Sequence, residues 1–398
     1  MEPKERISRL SEKFFSDIRE VRRHLHQHPE LSFAENQTTD FIALQLEKLG
    51  VSYRRGFVKT GIVATLGKSQ PGKPCIALRA DMDALPIEEK NAVPYRSVNQ
   101  GVMHACGHDM HMSVLLGCIR ILKEMEEELK GKIYFIFQPG EELLPGGAKL
   151  MLEENIFDDA QPMAVLGLHV LPSLESGKTG FRPGIYMAST DELYLTVKGK
   201  GGHGAMPQDI VDPVLIASHI VVALQQIISR KANPTMPSVL TIGKFIANGA
   251  TNVVPDEVKM EGTFRTLDET WRASAHNMMK KMVENLAESM GGSCEFIIKK
   301  GYPVLKNDPS LTLKASELAA QYLGRQNVTE LDIRMTSEDF AYFSERYPSV
   351  FFRLGVKNEE KHITSALHSA TFDADENALQ TGMGTMAYLA YSILRSMS

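Results

Sequence analysis

The sequence has 398 residues, enough for two or three domains of ordinary size. Its 43% apolar and 23% charged residues are typical of a globular protein, and a formal net charge of −5 argues against a nucleic-acid partner, because phosphate binding needs a basic face. The first residues are charged and no run reaches ~18 consecutive apolar residues, so we expect neither a signal peptide nor a membrane partner.

Helices and apolar strands alternate along the first half of the chain. The predicted helices cover 12–29, 35–49, 110–129 and 147–154, and the predicted strands cover 61–66, 75–80, 132–138 and 163–170. This alternation predicts an α/β fold with a mostly parallel sheet that is covered by helices on both faces.

The pattern changes near residue 191. The predicted order there is strand 191–199, helix 211–230, strands 237–247 and 256–266, helix 268–290 and strand 293–300. This βαββαβ order is typical of a ferredoxin-like α+β domain. Helix and strand alternate again from about 310 onward. Pro183-Gly184 and Gly301-Tyr302-Pro303 are candidate hinges, so we predict a discontinuous α/β domain of 1–183 and 301–398 with an inserted domain of 184–300.

Polar residues with metal-binding chemistry lie near the ends of the apolar strands. They are Asp81 and Asp83 after strand 75–80, Cys106 and His108 before helix 110–129, Glu141 and Glu142 after strand 132–138, and His169 in strand 163–170. Loops at the carboxyl ends of parallel strands converge, and two adjacent buried carboxylates are costly without a compensating cation. A set of Cys, His and carboxylate suits zinc or a neighbouring first-row metal.

Cysteine is scarce in this chain. Four scattered residues (Cys75, Cys106, Cys118 and Cys294) make a disulfide framework improbable in so long a sequence. A reducing cytoplasm is therefore the expected location, and Cys106 is left available as a metal ligand.

Five runs together resemble one family of metallohydrolases. They are Arg79-Ala80-Asp81-Met82-Asp83-Ala84-Leu85-Pro86, His104-Ala105-Cys106-Gly107-His108-Asp109, Gln138-Pro139-Gly140-Glu141-Glu142, Gly167-Leu168-His169 and Ala366-Leu367-His368-Ser369. The chain resembles the metallo-aminoacylase/carboxypeptidase family over essentially its whole length. Within that family it is most similar to the amidohydrolase branch of N-acyl-amino-acid amidohydrolases, hippurate hydrolases and auxin-conjugate hydrolases. The resemblance implies an aminopeptidase-like catalytic domain and an inserted domain that forms a homodimer.

The resemblance also implies a centre of two divalent metal ions. The implied ligands are Cys106, His108, Glu142, His169 and His368, with Cys106 between the two ions, and Glu141 matches the catalytic carboxylate that moves the proton of the attacking water. The wider family has a His-x-Asp pair where this chain has Asp81-Met82-Asp83. His108 is expected to replace the missing histidine, and Asp83 to orient a ligand. Cysteine favours zinc by its softness, whereas manganese, cobalt or nickel remain alternatives because metal availability also decides loading.

Three residues of the inserted domain match substrate-binding positions of the family. His203 resembles a histidine that stabilises the oxyanion from a dimer partner, and Asn252 and Arg265 resemble residues that hold the carboxylate of the substrate. Arg265 could instead merely cap a strand end. The run Gly199-Lys200-Gly201-Gly202-His203-Gly204 also satisfies a dinucleotide-binding pattern, but Pro207 precedes the helix and no acidic residue follows at the spacing that binds a ribose.

Two further motifs have plain structural interpretations. The histidines at 24, 26 and 28 are expected to have packing or surface roles, and Ser337-Glu338-Asp339 resembles a helix N-cap with acids in the first turn.

Three functions fit these residues. The first is hydrolysis of the amide bond of small N-acyl amino acids, the second is a carboxypeptidase or dipeptidase on the same scaffold, and the third is a non-catalytic, metal-binding dimeric relative.

Overall fold

The chain folds into two units in a computed structural model that describes residues 2–68, 73–157 and 160–397. Unit 1 comprises the chain up to Gly184, Lys306–Asp332 and the chain from Asp339 onward. Unit 2 comprises Ile185–Leu305 and Ile333–Glu338.

The described residues in the N-terminal part of unit 1 form the elements α1 (Pro3–Gln27), α2 (Asn36–Lys48), β1 (Ser52–Phe57), β2 (Gly61–Leu66), β3 (Cys75–Asp81), α3 (His108–Lys123), β4 (Lys132–Gln138), α4 (Gly147–Glu153), β5 (Ala164–Glu175) and β6 (Thr179–Phe181). The following segment contains β7 (Gly184–Met187), β8 (Asp191–Lys198), β9 (Gly202–His203), α5 (Pro213–Gln226), β10 (Ser238–Ile246), β11 (Val253–Val254), β12 (Glu257–Thr266), α6 (Glu269–Ser289), β13 (Ser293–Lys300) and β14 (Leu305–Asn307). The chain then adds α7 (Pro309–Leu323), β15 (Val328–Glu330), α8 (Ala341–Arg346), β16 (Ser349–Lys357) and α9 (Ala378–Ser396) to unit 1.

An eight-stranded sheet with the order β1-β2-β4-β3-β5-β16-β6-β15 forms the centre of unit 1. The inner strands β4, β3, β5 and β16 run parallel to one another, whereas β1 and β2 pair antiparallel at one edge. Every residue of β3 and β4 is buried, as expected of a strand whose two faces are both covered. The predicted mostly parallel sheet is thus confirmed. In this register Asp81 lies opposite Gln138, so the carboxyl ends of β3 and β4 meet at one edge.

Unit 2 has a four-stranded antiparallel sheet with the order β10-β12-β8-β13. Helices α5 and α6 connect its strands in the order βαββαβ, and both helices contribute to a single apolar core with the sheet. Along β8, buried Leu193, Leu195 and Val197 alternate with more exposed residues, because only one face of an antiparallel sheet is covered. The predicted ferredoxin-like arrangement is confirmed.

Helix α5 continues into a π-helical turn over Ile227–Lys231. The combined helix Pro213–Lys231 is long and apolar enough, by length and composition alone, to cross a membrane, with a mean hydropathy of 1.3 in its most apolar window. Buried core helices of globular domains have the same properties, and one side of α5 (Ile216, Ile220 and Leu224) is buried in the core of unit 2.

Two helix boundaries differ from the predicted ones by six residues or more. Helix α1 begins at Pro3 instead of residue 12, since proline is favoured at the first helical position and buried Ile7 and Leu10 extend the apolar stripe toward the N-terminus. Helix α3 ends at Lys123 instead of residue 129, and Glu126–Glu128 form a separate 3-10 turn.

Candidate metal centre

Cys106 lies at the centre of a group of metal-binding side chains in unit 1. Its sulfur is 3.3 Å from Nε2 of His169, near the end of the parallel part of β5, and 3.4 Å from Nε2 of His368, in the loop before α9. Nε2 of His368 is in turn 3.2 Å from Oε1 of Glu142, and Nε2 of His108 is 4.0 Å from the same oxygen. The five residues that the family resemblance implies as metal ligands are therefore brought together.

These side chains form two groups that share Cys106. Cys106, His108 and His169 form one group, and Cys106, Glu142 and His368 form the other, with the candidate ligand atoms of each group within 4.8 Å of one another. His108 and Glu142 also form a third group with Glu141. The donor set combines thiol, imidazole and carboxylate, which suits zinc and neighbouring first-row metals.

The backbone around Cys106 and His368 directs both side chains. Gly107 has a φ of +83° at the N-cap of α3, and a Cβ there would lie 2.5 Å from Cγ2 of Val170, so only glycine can separate Cys106 from His108. His368 itself has a φ of +60°, and its backbone N–H donates to the carbonyl oxygen of Ala105 at 2.9 Å. A non-glycine residue in this region is strained, and such strain is commonly held at functional sites.

Hydrogen bonds set the tautomers of two neighbouring imidazoles. Nδ1 of His169 donates to the carbonyl oxygen of Val170 at 2.8 Å, which leaves Nε2 as the free acceptor that faces Cys106. The N–H of Val170 donates to Nε2 of His111 at 2.9 Å, so the proton of His111 is on Nδ1, which donates to Asp81 at 2.6 Å. One residue of β5 thus orients two histidines, as backbone carbonyls commonly orient metal-binding histidines.

The charges of the centre show an excess of negative over positive groups. Burial alone would lower the pKa of His108, yet the carboxylates of Asp81, Asp83 and Glu142 raise it to about 10. Burial and the charges of Glu142 and Glu141 raise the pKa of the Cys106 thiol well above its ordinary value. Burial and the charge of Arg353 lower the pKa of His169 well below its ordinary value, so this imidazole is neutral, as a metal ligand must be.

Three buried polar atoms of this centre have no hydrogen-bond partner in the part of the chain that the structure describes. Both ring nitrogens of His108 and Oε1 of Glu142 are buried and form no hydrogen bond with the described residues. Buried polar groups without partners are costly, and divalent cations would satisfy these atoms and favour the thiolate of Cys106. The residues present therefore fit the binding of divalent metal ions.

The turn after β4 carries both glutamates of the centre. The N–H groups of Glu141 and Glu142 donate to Oδ1 and Oδ2 of Asp83 at 3.0 and 2.9 Å. Asp83 also lies 3.3 Å from Nδ1 of His108. The carboxylate of Asp83 thus contacts the imidazole of His108 and the backbone N–H groups of Glu141 and Glu142.

Asp339 has a different role from the one that the sequence pattern predicts. Helix α8 begins at Ala341, its N-cap is Phe340, and no side chain caps it, so the predicted N-cap at Ser337-Glu338-Asp339 is wrong. Fully buried Asp339 instead accepts hydrogen bonds from Arg79 at 2.7 Å, from Nε2 of Gln138 at 2.7 Å and from the N–H of Ala148 at 3.0 Å. The Asp339 carboxylate pairs with buried Arg79 and does not cap the helix, because a buried charge needs an oppositely charged partner.

The histidines at 24, 26 and 28 have packing roles, as expected. His26 is fully buried and bonded to Asp109 at 2.9 Å and Glu89 at 3.2 Å, and His24 stacks on His28.

The remaining predicted site residues belong to unit 2. Exposed His203, in β9, is close to exposed Asn252, since the N–H of Gly204 donates to the carbonyl oxygen of Asn252 at 2.9 Å. Nδ1 of His203 accepts from the N–H of Ala205 at 3.0 Å, which leaves the proton on Nε2. Half-buried Arg265, in β12, donates to the hydroxyl of Ser337 at 3.1 Å. None of the described carboxylates lies within ion-pair distance of Arg265.

The fold and the metal-binding groups together define a metal-dependent hydrolase. Residues 77–392 match the peptidase family M20/M25/M40. The chain is 43% identical over 306 residues to the N-acyl-L-amino acid amidohydrolase of Geobacillus stearothermophilus, with 77% of this chain and 82% of that protein covered. It is 37% identical over 391 residues to thermostable carboxypeptidase 1 of Saccharolobus solfataricus, with 96% and 98% covered.

A solved structure agrees with this assignment. The YXEP protein of Bacillus subtilis, described as a dinuclear metal-binding peptidase from the M20 family, has a TM-score of 0.82 and 34% identity, with 97% of this chain and 99% of that chain covered. The chain therefore belongs to the peptidase family M20/M25/M40. It is a hydrolase of that family, and the dinuclear metal binding described for the Bacillus subtilis protein agrees with the two groups that share Cys106.

Proposed function

We propose that this hydrolase cleaves the amide bond of small N-acyl amino acids with water, releasing a carboxylic acid and a free amino acid. The observation that carries the proposal is the pair of metal-binding groups that share Cys106, with buried Glu141 beside them. An amidohydrolase relative with 43% identity supports the substrate class.

Cys106, His108 and His169 would hold one divalent ion, and Cys106, Glu142 and His368 the other. When bound, such ions lower the pKa of a water molecule and polarise the scissile carbonyl. Glu141 takes the proton of the attacking water and transfers it to the leaving amine. Asp83 orients His108 and fixes the backbone of both glutamates, so that the two neighbouring side chains keep separate roles.

The residues of unit 2 would act on the other groups of the substrate. His203 carries its proton on Nε2, from which it would donate to the oxyanion that develops in the active site of a dimer partner. Asn252 and Arg265 would hold the substrate carboxylate. The guanidinium of Arg265 is half buried and has no carboxylate partner among the described residues, which supports an anionic ligand over a role as a strand cap.

Zinc is the metal that we propose, because a shared thiolate favours a soft ion, and manganese, cobalt or nickel are the alternatives. We also propose a reducing cytoplasmic location, which agrees with four free cysteine thiols. A homodimer through unit 2 is supported by the apolar outer side of α5, where Leu215 and Val222 are 51% and 73% exposed.

The test is the release of free amino acid from N-acetyl and N-benzoyl amino acids. It is run on chelated protein, on protein reloaded with each of the four metals, and on Glu141→Gln. We expect activity only after reloading, and Glu141→Gln to lower kcat by about 10²- to 10⁴-fold while metal content is unchanged. The matched control is Glu153→Gln, an exposed glutamate of α4, which should keep full activity. Hydrolysis that persists in the Glu141 variant would refute its role.

A second candidate is a carboxypeptidase or dipeptidase, which the relative from Saccharolobus solfataricus supports. Both reactions would use the same metal centre and the same residues, Asn252 and Arg265, to hold the substrate carboxylate. The two substrate classes differ only in the acyl group on the amino nitrogen, which is an aminoacyl group in a dipeptide. Dipeptides in the same panel distinguish them. Cleavage of dipeptides with a higher kcat/KM than N-acetyl or N-benzoyl amino acids would favour the peptidase.

A further inference from the structure

Three consecutive backbone N–H groups of the turn after β4 all donate to carboxylates. The N–H of Gly140 donates to Oε1 of Glu35 at 2.9 Å, and those of Glu141 and Glu142 donate to Asp83. Backbone donors that follow a buried strand must find partners, and most find carbonyl groups or water. Here the partners are the side chains of Glu35 and Asp83, which are distant in the sequence. Together they accept hydrogen bonds from all three N–H groups of the segment Gly140–Glu142.

Glu35 is an unusual residue to find in this position. It is fully buried, and it forms no ion pair with the described residues. Although it precedes α2 as its N-cap residue, its side chain makes no cap hydrogen bond. Oε1 instead accepts from the N–H of Phe33 at 2.9 Å as well as from Gly140, and Oε2 accepts from the hydroxyl of Thr60 at 2.7 Å.

Burying this carboxyl group is energetically unfavourable. Burial and the nearby charge of Asp83 raise the pKa of Glu35 to about 7. If this side chain contributed only to the stability of the fold, a neutral or apolar residue would avoid the desolvation penalty. The contacts that offset the penalty are those with Phe33, Thr60 and the turn.

Steric contacts and backbone conformation also restrain the turn. Gly140 has a φ of +62°, and a Cβ at this position would lie 2.3 Å from Cε1 of Phe33. The carbonyl oxygen of Gly140 accepts from the N–H of Gly147 at 3.0 Å, which closes the loop. Gly140 is therefore restrained by an acceptor, a donor and an aromatic ring.

We propose that Glu35 is a positioning residue for the reaction: with Asp83 it forms a two-carboxylate clamp that fixes the backbone of Gly140–Glu142 and thereby the direction of the Glu141 side chain. The proposal rests on the proposed function in one respect, namely that Glu141 is the proton carrier. Glu35 acts through the backbone of Gly140 and needs no contact with substrate or metal.

The central variant is Glu35→Ala, which leaves the N–H groups of Gly140 and Phe33 without an acceptor. Because small displacements of a catalytic group cost up to about 100-fold in rate, we expect kcat to fall by roughly 10- to 100-fold. KM should stay within about 3-fold and metal content should equal that of the wild type, since Glu35 forms no hydrogen bond with a proposed ligand and Asp83 still accepts from the N–H of Glu142. Glu35→Gln keeps one oxygen for both N–H donors and should restore kcat to within about 5-fold of wild type.

Glu30 provides a matched control. Its carboxylate lies in the same segment and also accepts three hydrogen bonds, but from Gln37 and Thr38 in the first turn of α2. Glu30→Ala should lower the unfolding temperature and leave kcat unchanged. Equal kcat values for Glu30→Ala and Glu35→Ala, or a loss of rate that only parallels a loss of metal, would overturn the proposal.

Hydrogen exchange of the peptide over 137–143 makes the test independent of the reaction. Glu35→Ala should speed the exchange of the amides of residues 140–142, whereas Glu30→Ala should not. A wild type that hydrolyses no substrate would refute the proposed function, and the exchange rates would still decide whether the clamp exists. If Glu35→Ala does not fold, Glu35→Asp replaces it, because this variant retracts the carboxylate by one methylene. Exchange rates and a kcat equal to those of the wild type in Glu35→Asp would overturn the proposal.

Discussion

The sulfur atom of Cys106 lies 3.3 Å from Nε2 of His169. The same sulfur is 3.4 Å from Nε2 of His368, which belongs to the second metal-binding group. A single atom thus belongs to both groups, whereas each of the other four proposed ligands belongs to one of the two.

Replacing Cys106 should therefore affect both proposed metal positions at once. We expect Cys106→Ser to bind less metal than the wild type and to lose activity by at least about 100-fold, since even residues that only orient ligands cost up to that factor. Metal content is measured by elemental analysis after dialysis, and activity on the best N-acyl amino acid. Cys294→Ser, at a half-buried thiol of unit 2, is the control and should retain both. Full metal content in Cys106→Ser would contradict the shared-ligand interpretation.

Arg265 should determine the preference for a free substrate carboxylate. Because hydrogen bonds to charged groups contribute about 1.5–3 kcal/mol, Arg265→Met should lower kcat/KM by roughly 10- to 100-fold for N-acyl amino acids. The corresponding substrates with a carboxamide in place of the carboxylate should be affected little. Lys259→Met removes an exposed cation from the same strand and is the control. Equal losses on both substrates would assign Arg265 a structural role.

The stability of unit 2 should depend on pH through Asp191. Burial alone would raise the pKa of this carboxyl group, but hydrogen bonds from His276 and Arg272, at 2.7 and 2.6 Å, lower it below its ordinary value. A carboxyl group with a lowered folded pKa binds protons more weakly in the folded state. Its stabilisation is therefore present above the ordinary pKa of about 4 and is lost as the pH falls from there through the lowered value.

The single tryptophan of the chain, Trp271 on α6, reports the unfolding of unit 2 by fluorescence. Asp191→Asn should lower the free energy of unfolding at pH 7 by about 3 kcal/mol, because it leaves buried Arg272 with a weaker partner. The variant should also lack the decline in stability that Asp191 is expected to cause in the wild type as the pH falls below about 4. Glu284→Gln, at an exposed position of α6, should behave as the wild type does, and an unchanged acid profile in Asp191→Asn would contradict the assignment.

The proposed homodimer makes a separate prediction for the outer side of α5. A charge at Val222, which is 73% exposed, would be buried in a dimer that uses this side, so Val222→Glu should shift the protein to monomers in light-scattering measurements. Leu313→Glu alters a 57% exposed leucine on α7 and should leave the oligomeric state unchanged. A wild type that is monomeric at all concentrations, or a dimeric Val222→Glu, would exclude this surface.

Elements with a strong burial pattern could be predicted from the sequence. The bounds of β2, β4 and β13 agree with the predicted 61–66, 132–138 and 293–300, since β2 and β4 are largely apolar and exposure alternates along most of β13. Strand β1 was not predicted, because it is a largely exposed edge strand that contains Arg54 and Arg55 and so lacks both patterns.

The candidate site likewise contains residues that the sequence predicts and residues that it does not. Residues in contiguous motifs, such as Cys106 and His108, could be recognised from their neighbours. His111, Asp339 and Glu35 could not, because their roles depend on partners far away in the sequence: Val170 for His111, Arg79 for Asp339 and Gly140 for Glu35. An acid at a helix start, as at Glu35 and Asp339, has a local interpretation as a cap that tertiary contacts override.

The split of unit 1 around unit 2 has a consequence for the order of events during synthesis. Strand β16 and His368 follow unit 2 in the chain, and β16 inserts between β5 and β6, which were made before it. A growing chain can therefore complete the Cys106, His108 and His169 group early, but the group that needs His368 only after all of unit 2 has left the ribosome. Chains that have not yet reached residue 368 therefore lack the second group, and under the proposed function they would be inactive.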